Sequence, residues 1–260
     1  MVAAGRSPAH PGHALALDYL NERITTQPAD VESYVQRAGI WTDEENWPAA
    51  EADLTRATQL DPESVDVERG WGHYALARGQ WRQAVGHFST VLSSVPDDPE
   101  TLVWRARAER ELGPASLDQA YADYSAALRL IPRASPNLFH ERATLAVAPE
   151  RRLAGLADGL AQVGPVVSLM DQAITLEQQL GRFDAALAHV DEMIATAERK
   201  EIWLRRRGDI LVAAGRIGAA RDAYAAALRE VTALPDWLRT APSISVLETE
   251  LRRSLKTLSR

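Results

Sequence analysis

The sequence predicts an all-α solenoid: about six helix–turn–helix repeats, a half-repeat ahead of them and a capping helix behind. Three observations predict it. Trp47 and Trp81 stand 34 residues apart, as do Ala50 and Ala84, Leu54 and Phe88, Ala57 and Val91, and Pro62 and Pro96. The same interval returns later, where Gly181, Ala186, Val190 and Met193 are answered by Gly215, Ala220, Tyr224 and Ala227. The apolar content, finally, is rich in Ala and Leu, as closely packed helices require. A fixed period of this length marks an array in which each repeat packs on its neighbours and the product is a long surface.

Residues 1–12 hold two prolines and two glycines and are expected to be disordered. Ser7-Pro8-Ala9 before His10 has the small-residue character of a signal-peptidase site, so export with a removed signal is one reading. A flexible start to a cytoplasmic chain is the other. The array then covers 13–234. Ala14 to Gln27 reads as a helix with Leu15, Tyr19, Leu20 and Ile24 on one side. Pro28 lies 34 residues before Pro62, which makes that helix the second half of an incomplete leading repeat.

Full repeats follow at about 31–64, 65–98, 99–134, 135–166, 167–200 and 201–234. Positions are numbered so that the closing proline is position 32. The first repeat then has Tyr34 at 4, Ala38 at 8, Trp41 at 11, Trp47 at 17, Ala50 at 20, Leu54 at 24 and Ala57 at 27. The second has Trp71 at 7, Gly72 at 8 and Gly79 at 15. In the third, Ala106 and Gly113 keep step, but Ala120, Tyr124, Ala127 and Pro132 arrive two residues late. The insertion is placed within Pro114 to Leu117, because turns tolerate one and helices do not. The fourth repeat is a poor copy, with Arg142 at 8 and Asp158 at 24, which leaves its register open by one residue. Small residues at 8 and 20 let two helices approach, and bulky ones at 4, 11, 17 and 24 fill the space around the crossing. Proline at 32 turns the chain.

The segment 243–258 closes the stack. Ser245 and Glu248 read as a capping box, and Leu247, Leu251, Leu255 and Leu258 recur at spacings of three and four. Glu248, Arg252, Arg253 and Lys256 lie opposite. Such a stripe covers the end of a solenoid, or it docks a second copy or a partner enzyme.

Interval and contents together resemble the tetratricopeptide repeat (TPR) family. The resemblance implies a non-enzymatic scaffold that holds a peptide segment or partner protein in a concave groove. In that family the groove is lined by first helices, mainly through positions 2, 5, 6, 9, 12 and 13. Carried over, those positions fall on Asp66, Arg69, His73 and Leu76 of the second repeat, and on Glu100, Val103, Trp104, Arg107 and Arg110 of the third. They fall also on Phe139 of the fourth and on Arg205, Arg206 and Asp209 of the sixth. Arg69, His73, Arg107 and Arg110 would form a cationic stripe beside Trp104, suited to a carboxylate or phosphate. The alternative is arginines paired with Asp66, Glu100 and Glu111. The carboxylate clamp of chaperone-tail binders is absent: Val35, Gly39, Gly70, Glu100 and Trp104 occupy its positions.

A net charge of −7 and a pI near 5.4 argue against general binding to nucleic acid or anionic membranes. Arginine dominates the basic residues, with lysine only at 200 and 256, as a GC-rich bacterial genome would produce. The absence of cysteine removes disulfides, thiolate catalysis and cysteine-ligated zinc. No apolar run approaches the roughly 20 residues that span a bilayer. No nucleophile elbow, phosphate-cradling loop or His-Glu-x-x-His pair occurs. His73, His87, His140 and His189 fall on separate helices, and the one close pair, His10 and His13, lacks the supporting groups of a tight metal site. No catalytic residue, metal or cofactor is expected. The expected partner is a protein or peptide, with a homo-oligomer possible.

Overall fold

Helix starts follow the local chemistry. Pro99, Pro136, Pro149 and Pro242 each open a helix at a position where the missing N–H has no intrahelical partner. The side chains of Ser64, Asp98 and Ser135 cap free amides. A computed structural model describes residues 11–259, and every regular element among them is helical. In order these are α1 (Pro11–Thr26), α2 (Val31–Asp43), α3 (Trp47–Leu60), α4 (Val65–Ala77), α5 (Trp81–Ser94), α6 (Pro99–Leu112) and α7 (Leu117–Leu130). Then come α8 (Pro136–Leu145), α9 (Pro149–Val163), α10 (Val167–Gln179), α11 (Phe183–Thr196), α12 (Glu201–Ala213), α13 (Ile217–Ala233), α14 (Asp236–Arg239) and α15 (Pro242–Leu258). The fold is an all-α solenoid. Two compact bodies divide it, one ending at Pro132 and the other beginning at Arg133.

In the N-terminal body α2 pairs with α3, α4 with α5 and α6 with α7, while α2 packs on α4 and α4 on α6. Ala38, Ala50, Ala84, Ala106 and Ala120 are buried, and Leu54, Phe88 and Tyr124 lie over the crossings without exposure. The tryptophans belong to this packing: Trp47 and Trp71 both meet the Tyr74 ring edge-on, at 6.0 and 5.6 Å between centroids. Gly79 and Gly113 turn the chain with positive φ, and in the first repeat the same position 15 is filled by Glu45 at φ 56°. A 3₁₀ turn, Pro114–Ser116, follows Gly113 where the insertion was expected.

Two details of α1 differ from the sequence reading. It starts at Pro11, so the last two residues of the expected disordered segment are helical; the proposed processing site and His10 lie outside the described residues. Its buried side is Leu17 and Leu20, whereas Leu15 and Tyr19 are exposed. The helix rotates to bring the i, i+3 pair onto α2.

A recurring ion pair ties the two helices of some repeats together. Arg37 grips Asp53 through two bonds of 2.8 and 2.6 Å, and Arg105 grips Asp123 at 2.6 and 2.9 Å. Both join position 7 to position 23. The second repeat replaces the pair by stacked rings, Trp71 on His87.

In the C-terminal body α8 pairs with α9, α10 with α11 and α12 with α13, and α15 packs on α13. The register of the fourth repeat resolves as a one-residue slip. Arg142 reaches Asp158 at 2.7 Å, the same pair one place late. Phe139, Ala143, Gly155 and Gly159 are buried, each one place after Tyr34, Ala38, Ala50 and Leu54. Sizes are exchanged as well: a Cβ on Gly159 would stand 2.9 Å from the Phe139 side chain. At the chain's end Ile244, Leu247 and Leu251 are buried with α13. The capping box does not form, because Pro242 starts the helix three residues earlier and Glu248 instead pairs with Arg252 at 2.6 Å.

A candidate peptide groove on α2 and α4

Positions 2, 5, 6, 9, 12 and 13 of a helix with 3.6 residues per turn share one side. On α2 they are Glu32, Val35, Gln36, Gly39, Thr42 and Asp43, and all six line a groove of about 390 Å³. The facing helix, α4, adds Asp66, Arg69, Gly70 and His73, its positions 2, 5, 6 and 9. Gly70 lies in close packing, since a Cβ there would stand 2.8 Å from a terminal methyl of Leu54. Gly39 is different: it is exposed within the helix, and a Cβ would meet nothing within 4 Å. Thr42 is only 7% exposed, yet it lines the groove, and its hydroxyl has no hydrogen-bond partner among the described residues.

The lining is net negative. Arg69 is held by Asp66, by Asp98 at 3.2 Å and by the Thr101 hydroxyl. His73 lies edge-on to Trp104 and Phe88. Burial, and then the Arg69 charge, push its pKa from 6.5 down to about 4, so it is neutral at pH 7. Glu32 accepts a bond from Gln36 at 2.9 Å, and Asp43 enters no ion pair among the described residues. Three carboxylates therefore face one compensated guanidinium.

The expected cationic stripe is not assembled as free charge. Arg69 is satisfied, His73 is neutral, and Arg110 pairs with Glu111 at 2.9 Å. Arg107 is half-buried on α6. Trp104 packs on Phe88 with centroids 5.9 Å apart. Val103 is buried outside the groove lining, and Phe139 has no exposure at all. The one-residue slip explains Phe139: it stands where Tyr34 stands, not at a groove position. In the C-terminal body, Arg205 lies near Asp209 at 3.6 Å and near Glu250 of α15 at 3.5 Å. Arg206 donates to Thr175 at 3.0 Å, and Asp209 accepts from Tyr224 at 2.7 Å. Of the predicted residues, the groove gathers Arg69 and His73, with Asp66. The α2 residues were missed, although the same six positions applied to the first repeat would have found them.

Among the described residues no three of His, Asp and Glu converge closely enough to hold a metal ion. None of the described helices is long and apolar enough to cross a membrane.

Known families match this architecture in two places. A tetratricopeptide repeat model covers residues 69–137, and a tetratricopeptide repeat-like domain model covers 162–239, together more than half of the chain. The chain belongs to the TPR family. TPR repeats generally mediate protein–protein interaction, and their fold is typically a non-enzymatic scaffold. A curated relative, bacteriophage adsorption protein A of Escherichia coli (strain K12), is 30% identical over 108 residues. That stretch is 42% of this chain, which spans about a tenth of that protein's length. Among solved structures, the C-terminal part of a TPR repeat-containing protein from Cytophaga hutchinsonii aligns with TM-score 0.65 and 12% identity, over 91% of this chain and 94% of that one. Pseudomonas aeruginosa pilF aligns with TM-score 0.52 and 15% identity, over 93% and 99%. At these identities the likeness is one of fold.

Proposed function

We propose that this TPR protein is a non-catalytic scaffold that holds a peptide segment of a partner protein in the groove on α2 and α4. The coincidence of that groove with positions 2, 5, 6, 9, 12 and 13 carries the reading. Its glycine-opened wall and unpartnered Thr42 hydroxyl suit a peptide backbone, which offers donors and acceptors at regular intervals. A photo-crosslinking side chain placed at Gln36 is expected to capture a peptide in the native organism, while the same group at Arg82, on α5, captures none. Equal adducts at both positions would contradict the reading.

Assembly through the C-terminal helix is the weaker alternative. Helix α15 spends Ile244, Leu247 and Leu251 on α13, which leaves Val246 and the nearby Trp237 as exposed apolar side chains.

A further inference from the structure

The groove also bears on what kind of peptide it takes, an inference that rests on the scaffold reading above. Glu32 and Asp43 stand at opposite ends of α2, eleven residues and so about 16 Å apart. Four steps of an extended peptide cover about 13–14 Å of that distance, and long basic side chains reach the remainder. Between the two acids the wall is lowered at Gly39, which neither packing nor backbone conformation requires to be glycine. A close-lying backbone is the remaining use for such a gap. The Thr42 side chain beside it lines the groove, and its hydroxyl has no partner among the described residues and can bond a peptide group. The one guanidinium in the lining is already compensated.

We infer that the groove selects an extended segment carrying two Lys or Arg residues about four positions apart, its backbone crossing Gly39 and hydrogen-bonding Thr42. The basic side chains pair with Asp43 at one end and with Glu32 at the other. Charge complementarity of this kind sets specificity and association rate, and it is weakened by salt.

The test uses the full chain and three labelled nonapeptides that share a Ser/Ala background. They carry Lys, Gln or Glu at two positions four apart, and fluorescence polarisation reads binding. The lysine peptide is expected to bind about tenfold more tightly than the glutamine peptide, and the glutamate peptide weakest. Gly39→Leu should abolish binding by filling the gap while circular dichroism stays unchanged. Asp43→Asn should reduce affinity several-fold and flatten its salt dependence. Lysine-peptide binding that Gly39→Leu leaves intact would overturn the inference, because the attraction would then belong to the acidic surface at large. Preference for the glutamate peptide, abolished by Gly39→Leu, would overturn the charge assignment and keep the scaffold reading. Failure of all three peptides, together with no crosslink at Gln36, would overturn both.

Discussion

Gly39 and Gly72 sit inside neighbouring helices, and replacing each by Ala is predicted to have opposite effects. In a helix interior, alanine is favoured over glycine by about 1 kcal/mol. At Gly39 nothing opposes that gain, since the new methyl meets no atom within 4 Å. Gly39→Ala should therefore raise stability by about 1 kcal/mol. At Gly72 the methyl would stand 2.4 and 2.6 Å from two carbons of the Phe88 ring. That ring has no exposure. Overpacking of this kind costs about 1–3 kcal/mol, so Gly72→Ala should be neutral to about 2 kcal/mol destabilising after the helix gain. The first repeat supplies the rescue, because it carries Ala38 over Leu54. Adding Phe88→Leu to Gly72→Ala should recover more than the two single effects predict. Urea midpoints followed by tryptophan fluorescence and far-UV circular dichroism measure all four variants. If Gly72→Ala proved as stabilising as Gly39→Ala, the ring-on-glycine packing that underlies the repeat would be wrong.

Further predictions follow from the buried charges and the turns. Asp123→Ala leaves Arg105 only the Ser89 hydroxyl and the nearby Glu109 and should cost up to about 3 kcal/mol, whereas the double change Arg105→Met with Asp123→Leu should fall near wild type; thermal unfolding distinguishes them. Burial and the nearby Asp123 raise Glu109 from 4.5 to about 7. The folded state thus binds its proton more tightly: that stabilisation is full below pH 4.5 and lost as pH rises through 7, a change of about 3 kcal/mol. Glu109→Gln should flatten the stability profile across that window, and an unchanged profile in urea titrations would exclude the assignment. Glu45→Gly, which places glycine where four later turns also carry it at positive φ, should raise the melting midpoint by the equivalent of up to about 1 kcal/mol.

Much of the fold was legible because its requirements are local. A small residue at position 8 and a bulky one at 24 are demands that any two helices crossing at this distance make, so Ala38 with Leu54 and Gly72 with Phe88 declare themselves at one interval. The Arg–Asp pairs were equally available, at spacings of 16, 18 across the insertion, and 16 again. Finding them would have settled the slip of the fourth repeat and removed Phe139 from the groove. What the sequence could not show depends on the neighbouring repeat. His73 is neutral because Phe88 and Trp104 shield it, and Arg69 is spent because Asp98, at the turn into the next repeat, and Thr101 beyond it reach it. A stripe read from one helix at a time counts those charges as free.

Amide chemical-shift mapping by NMR, with the full chain titrated by the two-lysine nonapeptide, tests the groove most directly. Shifts are expected to concentrate on α2 and α4, with Gly39, Thr42 and Gly70 among the largest. Shifts centred on α3 and α5, or spread evenly over the acidic surface, would contradict the groove assignment.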